Sequence, residues 1–421
     1  MSARLWSACA LVLFRALLPG PLLAQAHPIT LSDALALARE KSLELRAAET
    51  DLAAARADRR AAGTPLYNPE VGFSIGPSRN SDTTLTSYMV GVSQTLELGG
   101  KRGLRSNAAN RRIEAAEARR SRALVVVAAT VRRAFGLALI AQRRLATATE
   151  GDSVATLLRD AANERLTLGA GTQLEVNVAA AAAAQARRAR LTAQRDERAA
   201  LLELGGLIGL DPSELPQPNG DLPPIAPPTT GEAELVATAL ASRGDVRAAE
   251  RERVAAETEL RLARRLWWPD PTLGVSAGKA EDFKVVEFGV TLPIPLWNRG
   301  QGATAQATAA LAQAQIVEER TRRAATREVR EAYQGLASAI EAERGFDRDV
   351  IERLRENLSL AEESFRAGKI GLLVFNNVRR DLVEARLSYL DAVAEVLERS
   401  AALELAVGTS VGTTDGGGND R

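Results

Sequence analysis

The chain repeats itself at long range, and this constrains its fold more than any other feature. Leu45-Arg46-Ala47-Ala48-Glu49 returns as Val246-Arg247-Ala248-Ala249-Glu250, 201 positions later. Asn68-Pro69-Glu70-Val71-Gly72 returns as Asp270-Pro271-Thr272-Leu273-Gly274, 202 positions later. Gly169 and Gln185-Ala186-Arg187 return as Gly368 and Glu384-Ala385-Arg386, 199 positions later. A period this long marks a duplicated subdomain, not a solenoid repeat. Each half has to fold into the same succession: helix, two strands, a very long helix, a turn, and a helix back.

Residues 1–26 read as a signal peptide. Arg4 precedes the apolar stretch Ala8 to Phe14, which resumes at Ala16-Leu17-Leu18 after Arg15, and Ala24-Gln25-Ala26 supplies the small residues of a cleavage site. Cys9 lies ahead of most of the apolar run and is not placed as a lipid anchor. The processed chain then has no cysteine, and His27 is its one histidine. This removes Cys/His metal sites, disulfide frameworks and nucleophile–histidine pairs. The 53 acidic residues are scattered among 54 basic ones along helices, the pattern of solvated faces. A net charge of +1 gives no field pointing to nucleic acid. No cofactor is implied. No uninterrupted apolar run approaches the ~18–20 residues of a membrane-spanning helix. The best, Ala123 to Val131, ends at Arg132-Arg133.

The first repeat is expected over 27–210, with a hairpin at about 69–96 and long helices at about 103–208. A proline-rich linker over 211–231 holds seven of the 17 prolines. The second repeat is expected over 232–408, with its hairpin at about 271–294 and long helices at about 302–407. Residues 409–421 read as a disordered tail. Thr30-Leu31-Ser32-Asp33 and Thr229-Thr230-Gly231-Glu232 both read as capping boxes at helix starts.

In the first hairpin Val71, Phe73 and Ile75 alternate with Gly72, Ser74 and Gly76, and Tyr88, Val90 and Val92 with Met89, Gly91 and Ser93. In the second, Leu273, Val275 and Ala277 alternate with Gly274, Ser276 and Gly278. Val286, Phe288, Val290 and Leu292 then alternate with Glu287, Gly289 and Thr291. Segments of roughly ten residues with one apolar face match membrane β-barrel strands; a soluble hairpin packed on a helix shows the same alternation. Aromatic placement tips the balance toward the membrane. Tyr67, Trp267 and Trp268 precede the hairpins and Trp297 follows the second, as expected of residues at a membrane–water interface.

From Gly103 to about Arg165 no proline occurs, which predicts ~95 Å of rod. Gly302 to about Arg366 repeats the length. Leu354, Leu358, Ala361 and Phe365, then Val378, Leu382, Ala385 and Tyr389 on the returning helix, fall at heptad spacing. Four strands cannot close a barrel, and an open edge cannot face lipid. The strands must be shared among copies, with Gly72, Ser74, Gly91, Ser93, Gly274, Ser276, Glu287 and Thr291 lining a wet lumen.

With Asn68-Pro69-Glu70-Val71, Gln94 to Arg102 (QTLELGGKR) and Pro293 to Gly302 (PIPLWNRGQG) in place, the chain resembles the TolC-like outer-membrane efflux ducts. Within them it is similar to the CzcC-type branch associated with heavy-metal cation export. The resemblance runs from Thr30 to Gly408. It implies a mainly α fold with a small β part: a homotrimer whose 12-stranded barrel crosses the outer membrane of a Gram-negative-type bacterium and continues into a periplasmic α-helical barrel. It also implies partners, a periplasmic adaptor docked at the helix tips and an inner-membrane RND-type pump behind it. The tip motifs match at Arg165, Leu166, Gly169, Thr172 and Leu174, and at Phe365, Gly368, Gly371 and Leu373. Relatives carry acidic residues six and nine positions after the second tip glycine as a constriction. Here these are Val374 and Asn377, leaving Glu175 or Asp381 to supply charge.

The expected mechanism is a passive, gated conduit with no catalytic, metal-binding or cofactor-binding residue. Rivals are a multidrug or type I protein-secretion outlet and, from another class, a periplasmic coiled-coil scaffold. An enzyme is disfavoured. Gly300-Gln301-Gly302 begins like a dinucleotide loop, but Ala305 replaces the third glycine and no βαβ unit surrounds it.

Overall fold

The computed structural model describes residues 28–79, 84–222, 227–280, 283–346 and 348–409. The expected signal peptide, and the expected tail beyond its first residue, lie outside them. The first repeat comprises β1 (Pro28–Ile29), α1 (Leu31–Lys41), α2 (Leu43–Gly63), β2 (Glu70–Arg79), β3 (Thr84–Thr95), α3 (Lys101–Thr167) and α4 (Gln173–Leu207). The linker contributes β4 (Gln217–Pro218), paired in parallel with β1, and Pro218 there is buried. The second repeat comprises α5 (Glu232–Ser242), α6 (Gly244–Ala263), β5 (Thr272–Ala280), β6 (Phe283–Thr291), α7 (Gln301–Arg344), α8 (Arg348–Arg366) and α9 (Leu372–Val407).

The capping box at Thr30 forms: the Asp33 N–H donates to Thr30 Oγ1 at 3.3 Å, and the Thr30 N–H donates to Asp33 Oδ2 at 3.1 Å. The second expected box does not. Gly231 takes the cap position of α5 and has no side chain to accept a bond. Glu232 instead sits in the first turn, where the helix dipole favours it, and pairs with Arg330.

Helix α3 runs unbroken for 67 residues, ~100 Å at 1.5 Å per residue. The two glycines in its middle, Gly136 and Gly151, are held by neighbours. Leu397 lies where a side chain on Gly136 would go, and the Gly151 carbonyl accepts from Arg379 Nη1 at 2.6 Å. The second rod, expected to match it, is instead broken. α7 ends at Arg344 with Gly345 as its cap, and α8 begins at Arg348. A Cβ on Gly345 would meet only carbonyls of its own preceding turn. With no other neighbour among the described residues to hold it, glycine's helix penalty of about 1 kcal/mol is not offset.

A window of α3 is apolar and long enough to span a membrane, contrary to the expectation from uninterrupted runs. More than half of that window is buried in the protein's own interior. Val131, Phe135 and Ala138 are buried with Ala34, Ala38, Leu204 and Ile208, joining α1, α3 and α4. Arg132, inside the window, pairs with Glu404 at 2.6 Å. The second repeat builds the counterpart from α5, α7 and α9, with Leu235, Val329, Leu336, Leu403 and Val407. A third cluster joins both helical hairpins near their tips: Leu158, Ala162, Ala179, Ala361, Leu372 and Phe375. The core is therefore a string of small clusters along a rod.

The four longer strands form one antiparallel sheet in the order β2-β3-β5-β6. The two repeats meet at β3–β5. Within one chain β2 and β6 are edge strands.

Candidate channel wall and helix tips

Strand register sorts the sheet into two faces. Val71, Val92, Val275 and Phe288 stand in one row, and Phe73, Val90, Ala277 and Val286 in the next. These apolar residues are exposed in a single chain, Phe288 to 86%. A contiguous apolar face on period-two strands suits contact with lipid. On the other face Gly72, Gly91, Ser276 and Glu287 share a row, and Glu70, Ser93, Gly274 and Gly289 another. That side is small and polar.

All four strand–helix junctions fall at one end of the sheet, and a polar network fixes them. Lys101 Nζ donates to Asp270 Oδ1 at 2.9 Å and to the Trp268 carbonyl at 2.7 Å, and the Leu98 N–H donates to Asp270 Oδ1 at 2.9 Å. This joins the first residue of α3 to the start of the second hairpin. Arg105 grips Glu97 through two bonds of 2.7 and 3.0 Å while also donating to the Ala62 and Thr64 carbonyls. Gly100 and Gly300, both with positive φ, cap α3 and α7. The motifs were conspicuous in the sequence, but these charge partners were not. They pair across 169 positions for Lys101–Asp270, and only the fold brings them together.

Glu97 is held below the usual carboxylate range, chiefly by the Arg105 hydrogen bond, with burial opposing and the Leu66 N–H assisting. A depressed folded pKa adds stability that is complete above the ordinary glutamate value of 4.5 and is lost as pH falls through the folded value. Glu97→Gln is expected to lower the thermal midpoint at neutral pH and to flatten its fall below that value. Thermal scans in detergent across pH check this; parallel acid limbs in the two proteins would refute it.

The aromatic residues singled out from sequence line this same end. Trp267 and Trp268 are exposed with ring centroids 5.4 Å apart, Trp297 is 87% exposed, and the Tyr67 carbonyl accepts from Gln94 Nε2 at 3.0 Å.

At the far end, the two helical turns differ. Gly169 and Gly368 have φ of 74° and 69°, a conformation that favours glycine. Arg165 closes the first turn by donating to the Ala170 carbonyl at 2.9 Å. Leu166 is half-buried behind it. Thr172 and Glu175 form a capping box: the Thr172 N–H donates to Glu175 Oε2 at 3.0 Å, and the Glu175 N–H donates to Thr172 Oγ1 at 3.2 Å. The second turn has no side-chain cap at Gly371. Phe365 stacks on Phe375 at 5.3 Å. Leu174, Leu373 and Val374 are exposed, as are Asn377 and Asp381, the latter beside Arg380. Of the four constriction candidates, Glu175 is thus committed to its own helix start.

Sequence reasoning missed Phe375 and Arg379, which face inward from α9. Arg379 is buried against the Gly151 carbonyl and Asn376 Oδ1, with no carboxylate within ion-pair distance among the described residues, and burial lowers its pKa. The i, i+3, i+7 spacing of Leu372, Phe375 and Arg379 carries the inward stripe, but an arginine in it reads as solvated. Among the described residues, no group of three or more His, Cys, Asp or Glu side chains is arranged to hold a metal ion.

A two-faced sheet continuing into long helices, one of them ~100 Å, is the wall of a membrane channel. The outer membrane efflux protein family matches residues 34–210 and 235–409. The chain belongs to that family: it is a non-enzymatic outer-membrane efflux channel with a large periplasmic helical part. It is similar to the cobalt-zinc-cadmium resistance protein CzcC of Cupriavidus metallidurans, at 26% identity over 91% of each chain. It is also similar to the pyoverdine export outer membrane protein OpmQ of Pseudomonas putida, at 28% identity over 90% of this chain and 85% of that one. Its fold matches the CmeC outer membrane channel of Campylobacter jejuni with a TM-score of 0.76, at 15% identity, over 92% of this chain and 87% of that one.

Proposed function

We propose that three copies of this chain close a 12-stranded barrel in the outer membrane and a helical barrel in the periplasm, forming a passive duct for heavy-metal cations. The single observation that carries the cargo is the similarity to CzcC along 91% of both chains. A periplasmic adaptor and an RND-type inner-membrane pump deliver the cation, and the duct adds no chemistry. The small, polar lumen face, with glycine, serine and threonine predominating, supports this, because a conduit must not retain borderline or soft cations. After export and cleavage ahead of His27, the two repeats contribute alternate hairpins to the wall.

The adaptor seats on the tips. Exposed Leu174 and Leu373 offer apolar contacts there. Arg165, Leu166, Gly169, Thr172, Phe365, Gly368 and Gly371 hold the two turns in shape. Val374, Asn377 and Asp381 face the periplasmic constriction, with Glu175 as a cap, so the opening carries little acidic charge. The break between α7 and α8 supports movement of the α8–α9 hairpin as the gate. Tyr67, Trp267, Trp268 and Trp297 mark the periplasmic membrane interface. The similarity to OpmQ favours a second reading, export of an organic metal chelator.

Cell-associated metal, measured by elemental mass spectrometry after sublethal zinc, cobalt, cadmium, copper and silver, tests the metal cargo. A deletion strain is expected to accumulate one or a few cations, with reversal on complementation. Unchanged metal levels with new sensitivity to dyes or detergents would refute the metal cargo and leave a general outlet.

A further inference from the structure

Charge is spread unevenly over the apolar face of the sheet. From the junction end its rows read Gln94, Leu273 and Val290, then Val71, Val92, Val275 and Phe288, then Phe73, Val90, Ala277 and Val286. None of these residues is charged. The next row toward the hairpin turns is Ile75, Tyr88, Lys279 and Lys284. Lys279 and Lys284 are directly opposed across β5 and β6, and Tyr88 of β3 is opposed to Lys279 on its other side. Tyr88 and Lys284 are exposed, and Lys279 is half-buried. Directly opposed like charges destabilise a strand pair, and beside hydrocarbon water screens them least. Strand pairing alone gives no reason for this arrangement. An anion lying against both ammonium groups does.

Position indicates which anion. β5 and β6 have nine residues each. At ~3.3 Å per residue and a barrel tilt of ~40° they rise ~23 Å, close to the ~25 Å apolar band of an outer-membrane barrel. Trp267 and Trp268 stand at the junction end, on the side of the periplasmic helices, so the lysine row falls at the outer rim. There a lysine stem lies along hydrocarbon and its ammonium reaches the headgroups. In an outer membrane of Gram-negative type, the outer leaflet is built of lipid A, a glycolipid that carries phosphates. We propose that Lys279 and Lys284, with the Tyr88 hydroxyl beside them, bind a phosphate of lipid A. Two ammonium groups and a phenol in one row match a group that offers acceptor oxygens and negative charge. This rests on the reading of the apolar face as the one that meets lipid. The turn between the lysines, Glu281-Asp282, lies outside the described residues.

Native mass spectrometry counts lipid A on the full channel, extracted from its own outer membrane in mild detergent. Lys279→Gln with Lys284→Gln is expected to lose about fivefold or more of the bound lipid A, and Lys279→Arg with Lys284→Arg to keep it. Lys284→Gln alone, at the more exposed position, is expected to lose about half and serves where the double variant fails to fold. Glu281→Gln with Asp282→Asn is expected to lose none. A loss equal to that of the lysine variant would assign the effect to the turn and overturn the proposal. Added back to the stripped wild-type channel, dephosphorylated lipid A is expected to bind about tenfold more weakly than the bis-phosphorylated form. No lipid A on the wild type, equal retention in all variants, or phosphatidylglycerol binding as tightly as lipid A would overturn the site while leaving the lipid-facing sheet. Release of the wild-type chain from membranes by alkaline carbonate without detergent would overturn both.

Discussion

Asp270→Ala is expected to destabilise the chain by about 3–5 kcal/mol, because it strands a buried ammonium rather than trimming a surface pair. The side chains of Lys101 and Asp270 are only 6% and 13% exposed. The Lys101 ammonium keeps the Trp268 carbonyl but loses its counter-charge, and the Leu98 N–H loses its acceptor. The pair joins the first long helix to the second hairpin, so the loss falls on the seam between the repeats. Asp270→Asn is expected to cost less, since an amide oxygen still serves Leu98. Lys101→Met combined with Asp270→Asn should recover much of the deficit, because no buried charge remains. Thermal midpoints of the detergent-solubilised proteins, arranged as a double-mutant cycle, measure this. Additive losses would show that the two groups do not interact.

Leu204→Ala is expected to cost about 2–5 kcal/mol through lost burial and the cavity left behind. Leu204 is fully buried among Ala34, Ala38, Val131, Phe135 and Ile208, where α1, α3 and α4 meet. The neighbouring alanines have only a methyl group, with no rotamer to swing into the space, so collapse around the site is limited. Leu204→Met conserves volume and is expected to cost under about 1.5 kcal/mol. The same thermal scans compare the two; equal midpoints would mean that this cluster is looser than its burial indicates.

The hairpins and their lipid faces were legible because period-two alternation is a local signal, written at Val71, Phe73 and Ile75 and again at Val286, Phe288 and Val290. The tip turns were legible because Gly169 and Gly368 sit where a reversal needs positive φ. The second helix break was not. Gly345 resembles Gly136 and Gly151 in sequence, and what differs is whether another helix lies against it. The cap at α5 failed for a smaller reason: glycine one place closer to the helix displaced the threonines.

Periodicity, turn chemistry and duplication are properties of neighbours along the chain, and they alone specify two hairpins on long helical rods with one apolar sheet face. Which charges meet is a property of space. Lys101 finds Asp270, Arg132 finds Glu404 and Arg379 finds the Gly151 carbonyl across 169, 272 and 228 positions. Side-chain hydrogen bonds act over about 3 Å, so no sequence spacing encodes such partners. The tertiary structure chose them when it laid one repeat against the other.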